Sequence, residues 1–189
     1  MDKKQHLLDT ALKLFVEFGF HGTPTAKIAK EAGLSSGTLF YFFSTKDELV
    51  TSLYVDIKGK MTAAIMDDIE GETSIKKLIE GYFKTPLFWA LNNPIEFSFT
   101  VQFSNSPYLN QVAAKEIDLH IAPFLTILKR GVKEGTLKNI DPQLIFALVR
   151  GHTFSIHQYL AENPADLEKQ SKIIAESFLM LWEMIAVHS

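Results

Sequence analysis

The chain has 189 residues, enough for one or two small domains with a buried core, and 47% of them are hydrophobic, which excludes general disorder. It contains no cysteine, so disulfides, thiolate metal sites and a cysteine nucleophile are excluded, and a reducing compartment fits. The formal net charge of −3 is unevenly spread: residues 1–46 hold six lysines against four acids and the rest is acidic, as a basic reader on an acidic body would be.

In chain order, Leu7, Leu8, Leu12 and Phe15 recur at helical spacing, broken by Asp9, Thr10, Lys13 and Glu17. This predicts an amphipathic helix over 3–18, closed by Gly19, and not a signal peptide. Thr25 is expected to cap a short helix over about 26–32 that ends at Gly33, and Ser35 a third over about 36–42. Thr45-Lys46-Asp47-Glu48 reads as a capping box opening a long helix to about Asp68. After a break over 71–74, a helix runs to Asn92-Asn93-Pro94, with Pro86 expected to kink it. Residues 95–104 are apolar and aromatic, and Asn105-Ser106-Pro107 breaks the chain again. Residues 108–134 contain Pro123, which predicts one kinked helix or two, closed by Gly135. Asp141-Pro142 starts a helix to about Glu162. The last helix begins at Asn163-Pro164 or at the competing cap Asp166 and runs to about Val187. No strand pairs, repeats or low-complexity linkers are evident, and no apolar stretch reaches the roughly eighteen residues of a membrane span. The fold class is all-α, with about nine helices.

The segment richest in functional signal is 23–48. Two short helices meet across Ala32-Gly33-Leu34-Ser35, with Ile28, Ala32, Leu34 and Leu39 as a small shared core. Ala29 is small enough for close helix approach, and Gly33 suits a tight turn. Ser36, Gly37, Thr38 and Tyr41 are left on the outer side of the second helix, and short polar residues there suit entry into a DNA major groove. A helical hairpin that binds nothing has the same spacing.

Phe20-His21-Gly22-Thr23, Ile28-Ala29-Lys30-Glu31-Ala32-Gly33-Leu34-Ser35, Gly37-Thr38-Leu39-Phe40, Phe43 and Lys46-Asp47-Glu48-Leu49 together resemble the N-terminal signature of tetracycline-repressor (TetR) type regulators. The resemblance implies a three-helix DNA-binding head over 1–47 containing a helix-turn-helix. A larger helical ligand-binding and dimerisation domain would follow over 48–189. It implies that Thr25, Ser36, Gly37 and Thr38 read or approach bases and that Tyr41 lies over the groove wall. Position 42 would be a backbone contact and Lys46 a phosphate grip; Lys27 is a further phosphate candidate. The sequence departs from the pattern at Phe40, where the family usually has tyrosine, and at Phe42, where it has tyrosine or histidine. Losing those polar groups predicts modest, strongly salt-sensitive affinity for double-stranded DNA.

In the body, 82–108 is dense in aromatics, most of them expected in the core. A small hydrophobic or amphipathic effector is expected near Phe83, Trp89, Phe103, Phe124 and Phe146, with Arg150 or His152 as polar anchor. Ile174, Phe178, Leu181, Trp182 and Ile185 on the last helix are the expected homodimer surface. Two heads on one face of DNA call for a palindromic operator with half-sites about 34–36 Å apart, or a multiple. His152 and His157, five apart, do not match one helix face, so no metal is expected, and no cofactor. No nucleophile elbow, phosphate loop or catalytic carboxylate pair points to an enzyme. The expectation is a cytoplasmic, ligand-responsive repressor; a helical interaction or scaffold protein with a vestigial helix-turn-helix is the alternative.

Overall fold

The computed structural model describes residues 2–111 and 114–187, and the side chains of all of these except 110–120. Among the described residues there are nine α-helices: α1 Lys3–Phe18, α2 Thr25–Glu31, α3 Ser36–Phe42, α4 Lys46–Asp68, α5 Ile75–Asn92, α6 Pro94–Ser104, α7 Ala114–Lys133, α8 Pro142–Glu162 and α9 Leu167–Ile185. A 3-10 turn over Pro107–Gln111 follows α6, and Pro123 lies inside the single helix α7, so the chain is not divided into two helices at that proline; residues 112 and 113 lie outside the described ones.

Polar side chains set most of the helix starts. Asp2, Ser35, Asp141 and Asp166 each accept a first-turn amide, so of the two candidate starts for α9 it is Asp166 that caps it. Thr25 does not cap α2. Pro24 takes that position, and its carbonyl accepts from the Lys27 and Ile28 amides, which makes Thr25 the first residue of the helix. The α4 box is reciprocal: the Glu48 amide donates to Thr45 Oγ1 at 3.0 Å and the Ser44 amide to Glu48 Oε2 at 2.7 Å. Pro86 and Pro123 both lie inside helices. α9 stops at Ile185, short of Val187, because the chain there turns into a two-residue antiparallel bridge. Lys138 N donates to Ile185 O at 2.9 Å and Val187 N to Thr136 O at 3.1 Å.

The chain forms two compact units, one of residues 1–60 and 93–117, the other of 61–92 and 118–189. The first unit is thus larger than the head expected over 1–47, because α6 belongs to it. Phe99 and Phe103 of α6 are fully buried. Phe99 sits 5.6 Å from Phe20 and 6.3 Å from Phe15, while Phe103 stacks on Tyr54 of α4 at 4.0 Å. Gln102 Nε2 donates to Val16 O at 3.2 Å, tying α6 to α1. Burying these two phenylalanines is worth roughly 1.5–3 kcal/mol each, enough to make α6 part of the unit that holds the reader.

The second unit is built from α5, α7, α8 and α9 around Ile79, Phe83, Leu87, Phe124, Leu128, Ile145, Val149, Ile174, Phe178, Leu181 and Ile185. Gly81 of α5 lies so close to Ile69 that an added Cβ would meet its Cγ2 at 2.3 Å, which explains a glycine in mid-helix.

Candidate nucleic-acid interface

The geometry of the reader begins with the α1–α2 corner. Thr23 is fully buried, and its hydroxyl donates to Gly19 O at 2.8 Å and lies 3.1 Å from Leu14 O, which holds the end of α1 against the start of α2. At Gly22 a Cβ would meet Phe18 O at 2.2 Å, so only glycine fits. Gly33 takes φ +65° between α2 and α3, and Leu34 N donates back to Ala29 O at 2.9 Å. Ile28, Ala29, Ala32 and Leu39 are buried in the shared core as expected, and Leu34 half-buried.

With Leu39 and Phe43 turned inward, the opposite side of α3 presents Ser36, Gly37, Phe40 and Tyr41 to solvent. Thr38 is half-buried, held by Ser35: its amide donates to Ser35 Oγ at 3.1 Å and the two hydroxyls lie 3.0 Å apart. Gly37 is the informative residue. Its φ is ordinary, and the nearest atom to an added Cβ is Ser35 Oγ at 3.7 Å, a normal contact. Nothing among the described residues requires glycine there. Tyr41, 83% exposed, meets Phe42 edge-on at 5.1 Å. Phe42 is half-buried and supports the Tyr41 ring, a role the sequence did not suggest.

The lysines expected on phosphate are partly engaged within the protein. Lys46 Nζ donates to the Phe20 carbonyl and lies 6.0 Å from the Phe15 ring. Burial there lowers its pKa, opposed by neighbouring Asp47. Lys46 therefore pins the α1–α2 corner to the start of α4. Lys46→Met is expected to destabilise the chain by about 1–3 kcal/mol, through loss of a charged hydrogen bond. A thermal melt equal to that of the unchanged protein would show that the bond contributes nothing. Lys27 Nζ lies 3.3 Å over the Phe18 ring, a cation–π contact on the surface, and Thr25 is half-buried. Tyr108 closes the same corner. Its ring meets Phe20 at 5.2 Å, and burial, then Asp47, whose carboxylate accepts its hydroxyl proton, raise its pKa.

In the second unit, Phe83, Phe124 and Phe146 belong to the core cluster or pack against it, and Trp89 is half-buried. Phe103 does not join them, because it belongs to the first unit. Neither expected polar anchor is aimed at an apolar site without a partner. Arg150 is exposed, and His152 Nε2 is 2.9 Å from Ser177 O with its ring stacked on Phe83. The residue that sequence reasoning missed is Tyr82. It is buried, stacked on Phe124 at 4.2 Å, and its hydroxyl has no hydrogen-bond partner among the described residues. Burial pushes its pKa up to about 12. An orphaned phenol shows in a structure and not in a sequence of aromatics. An open cleft of about 310 Å³ lies elsewhere, lined by Asp68, Ile69, Glu72, Lys77, Glu80, Gly81 and Lys84. Its charges pair with one another, Lys84 with Glu80 and Lys77 with Glu72 at 3.5 Å.

Four of the five expected dimer residues lie in the chain's own core. Ile174, Phe178, Leu181 and Ile185 are 0–1% exposed within the chain, and Trp182 is half-buried with Lys76 Nζ 5.5 Å from its ring. Their spacing was that of a core face. The apolar side chains that α8 and α9 leave outside include Phe154, Leu179, Met180 and Met184, together with Leu144, Tyr159 and Leu167 nearer the helix ends. Gly151, on the exposed side of α8, has nothing within 4 Å of an added Cβ. Among the described residues there is no group of histidines and acids able to hold a metal ion, and no helix long and apolar enough to cross a membrane.

Comparison with known proteins places this geometry. Residues 7–53 match the family model for bacterial regulatory proteins of the tetR family. The chain is 31% identical to a tetR family transcription regulator from Shewanella sp. PV-4, over 100% of both chains, with a TM-score of 0.89. The HTH-type transcriptional regulator RutR of Escherichia coli K12 is 29% identical over 150 residues, covering 77% of this chain and 70% of that protein. The fatty acid metabolism regulator protein of Bacillus subtilis 168 is 23% identical over 162 residues, covering 79% and 78%. With a helix-turn-helix of this geometry, an all-helical body and these relatives, the chain belongs to the TetR family of transcription regulators and is not an enzyme.

Proposed function

We propose that the protein is a cytoplasmic, ligand-responsive repressor that binds a palindromic operator as a homodimer and leaves it when a small, mainly hydrophobic effector enters its second unit. The observation that carries the DNA-binding part is the outer face of α3. It is short, polar or glycine at Ser36 and Gly37, and flanked by the exposed Tyr41. A glycine that the fold does not need, on the helix that enters the groove, fits close approach of that backbone to DNA. Thr25, Lys27, Thr38, Phe42 and Lys46 support the reader from around it, Phe42 and Lys46 chiefly by holding other groups in place.

The effector reading rests on Tyr82. A buried phenol without a partner costs about 1–3 kcal/mol, and a ligand oxygen accepting its proton removes that cost. Phe83, Phe124 and Phe146 supply the apolar surroundings, and the fatty acid metabolism regulator among the relatives supports an apolar effector class. Homodimerisation is assigned to the outward residues of α8 and α9.

The test uses fluorescence anisotropy with duplex DNA from beside the protein's own gene, then a panel of fatty acids, fatty alcohols and sterols. Specific binding is expected, with log K falling steeply against log salt, and one class of probe is expected to release the DNA and raise the melting temperature. Tyr82→Phe should weaken that response by roughly 3- to 10-fold, the size of one neutral hydrogen bond. Absence of DNA binding at low salt would favour a helical interaction protein with a vestigial helix-turn-helix. DNA binding without any probe response would remove the effector part alone.

A further inference from the structure

Phe40 is a large apolar side chain on the outer side of α3, about half of it left in water. It lies three residues after Gly37, on the same side of the helix and between that glycine and the buried Leu39, and it is 48% exposed. The chain thus keeps about half of an apolar side chain in water on the helix proposed to enter the groove. The ring cannot hydrogen-bond to a phosphate, and covering a phosphate oxygen with it would remove hydration with no return. Base edges in the major groove offer many donors and acceptors but one apolar group, the C5-methyl of thymine. Tyr41 does not compete for that role, since its ring leans on Phe42 at 5.1 Å and carries its hydroxyl outward.

We infer that Phe40 is a specificity-determining residue that packs on a thymine methyl, so that each operator half-site carries a thymine at one fixed position. The inference rests on the DNA-binding reading above and deepens it from groove entry to the identity of a base. The contact is apolar and contributes selectivity without counterion release, so it leaves the salt slope unchanged.

The experiment selects duplexes from a random library with the full-length protein, then replaces each thymine of the selected site singly by deoxyuridine, which removes the methyl and nothing else. One position per half-site is expected to be sensitive, with affinity falling roughly 4-fold for one half-site and about 15-fold for both, the size of one or two buried methyl groups. In Phe40→Asn that sensitivity should vanish while other positions keep theirs, and in Phe40→Leu, which stays apolar, it should persist. Both variants alter an exposed side chain, and circular dichroism melts check that they fold. If the selected DNA binds but no deoxyuridine matters, or if Phe40→Asn keeps the methyl sensitivity, this inference is overturned and the DNA-binding reading stands. If no duplex is selected at all, both fall.

Discussion

Gly37→Ala will leave the protein as stable as before, or more stable by up to about 1 kcal/mol, and will weaken operator binding roughly 10- to 100-fold. The stability half follows from the geometry: φ is ordinary, the nearest atom to the new methyl is Ser35 Oγ at 3.7 Å, and alanine is the better helix former. The binding half follows from where the methyl points. On the outer side of α3 it would stand between the helix backbone and the base edges, displacing contacts worth about 1–3 kcal/mol per base pair. Gly37→Val extends the series with a larger loss. Thermal melts and anisotropy titrations on the same samples separate the two effects. Unchanged affinity in Gly37→Ala would mean that this backbone does not approach DNA closely.

Met180→Lys, alone or with Phe154→Lys, is expected to give a folded monomer whose operator affinity falls by about 10²- to 10⁴-fold, the advantage of delivering two heads at once. Met180 is 69% exposed and Phe154 40%, so the charge costs the isolated chain little, whereas in a two-fold interface it would be buried opposite its own copy. Phe178→Ala is the contrasting variant. Its ring is 1% exposed and packed near Phe83 and Trp182, so truncation should cost about 3–5 kcal/mol of folding stability. Analytical ultracentrifugation with unfolding curves at two protein concentrations distinguishes the cases. If Met180→Lys remains dimeric and Phe178→Ala dissociates without unfolding, the faces of α9 have been assigned the wrong way round.

Those two α9 positions show where the sequence stops being informative. Residues 174, 178, 181 and 185 have the spacing of one apolar helix face, but a period says only that a face is buried, not against what. The choice between the chain's own core and a second copy depends on whether α5 and α8 already cover that face, and they do. The aromatic run from Tyr82 to Tyr108 poses the same problem. It reads as one cluster, yet Phe103 stacks on Tyr54 in the first unit while Tyr82 and Phe83 pack in the second, with α6 drawn into the reader's unit by Phe99.

Lys46 also looks, in sequence, like a free cation at a helix start. Only the approach of the Phe20 carbonyl, twenty-six residues away in the chain, shows its ammonium to be engaged.

What the sequence determined by itself was local. The helix starts at Ser35 and Asp141, the Thr45–Glu48 box, the turn at Gly33 and the inward set Ile28, Ala32 and Leu39 all follow from groups within a few residues of one another, where chain connectivity already dictates the geometry. Tertiary structure decided which face of α9 is core, which unit owns α6, which lysine is engaged and which hydroxyl is orphaned. Each of these depends on contacts between residues distant in sequence, and burial and hydrogen-bond partnership belong to the packed chain, not to any segment of it.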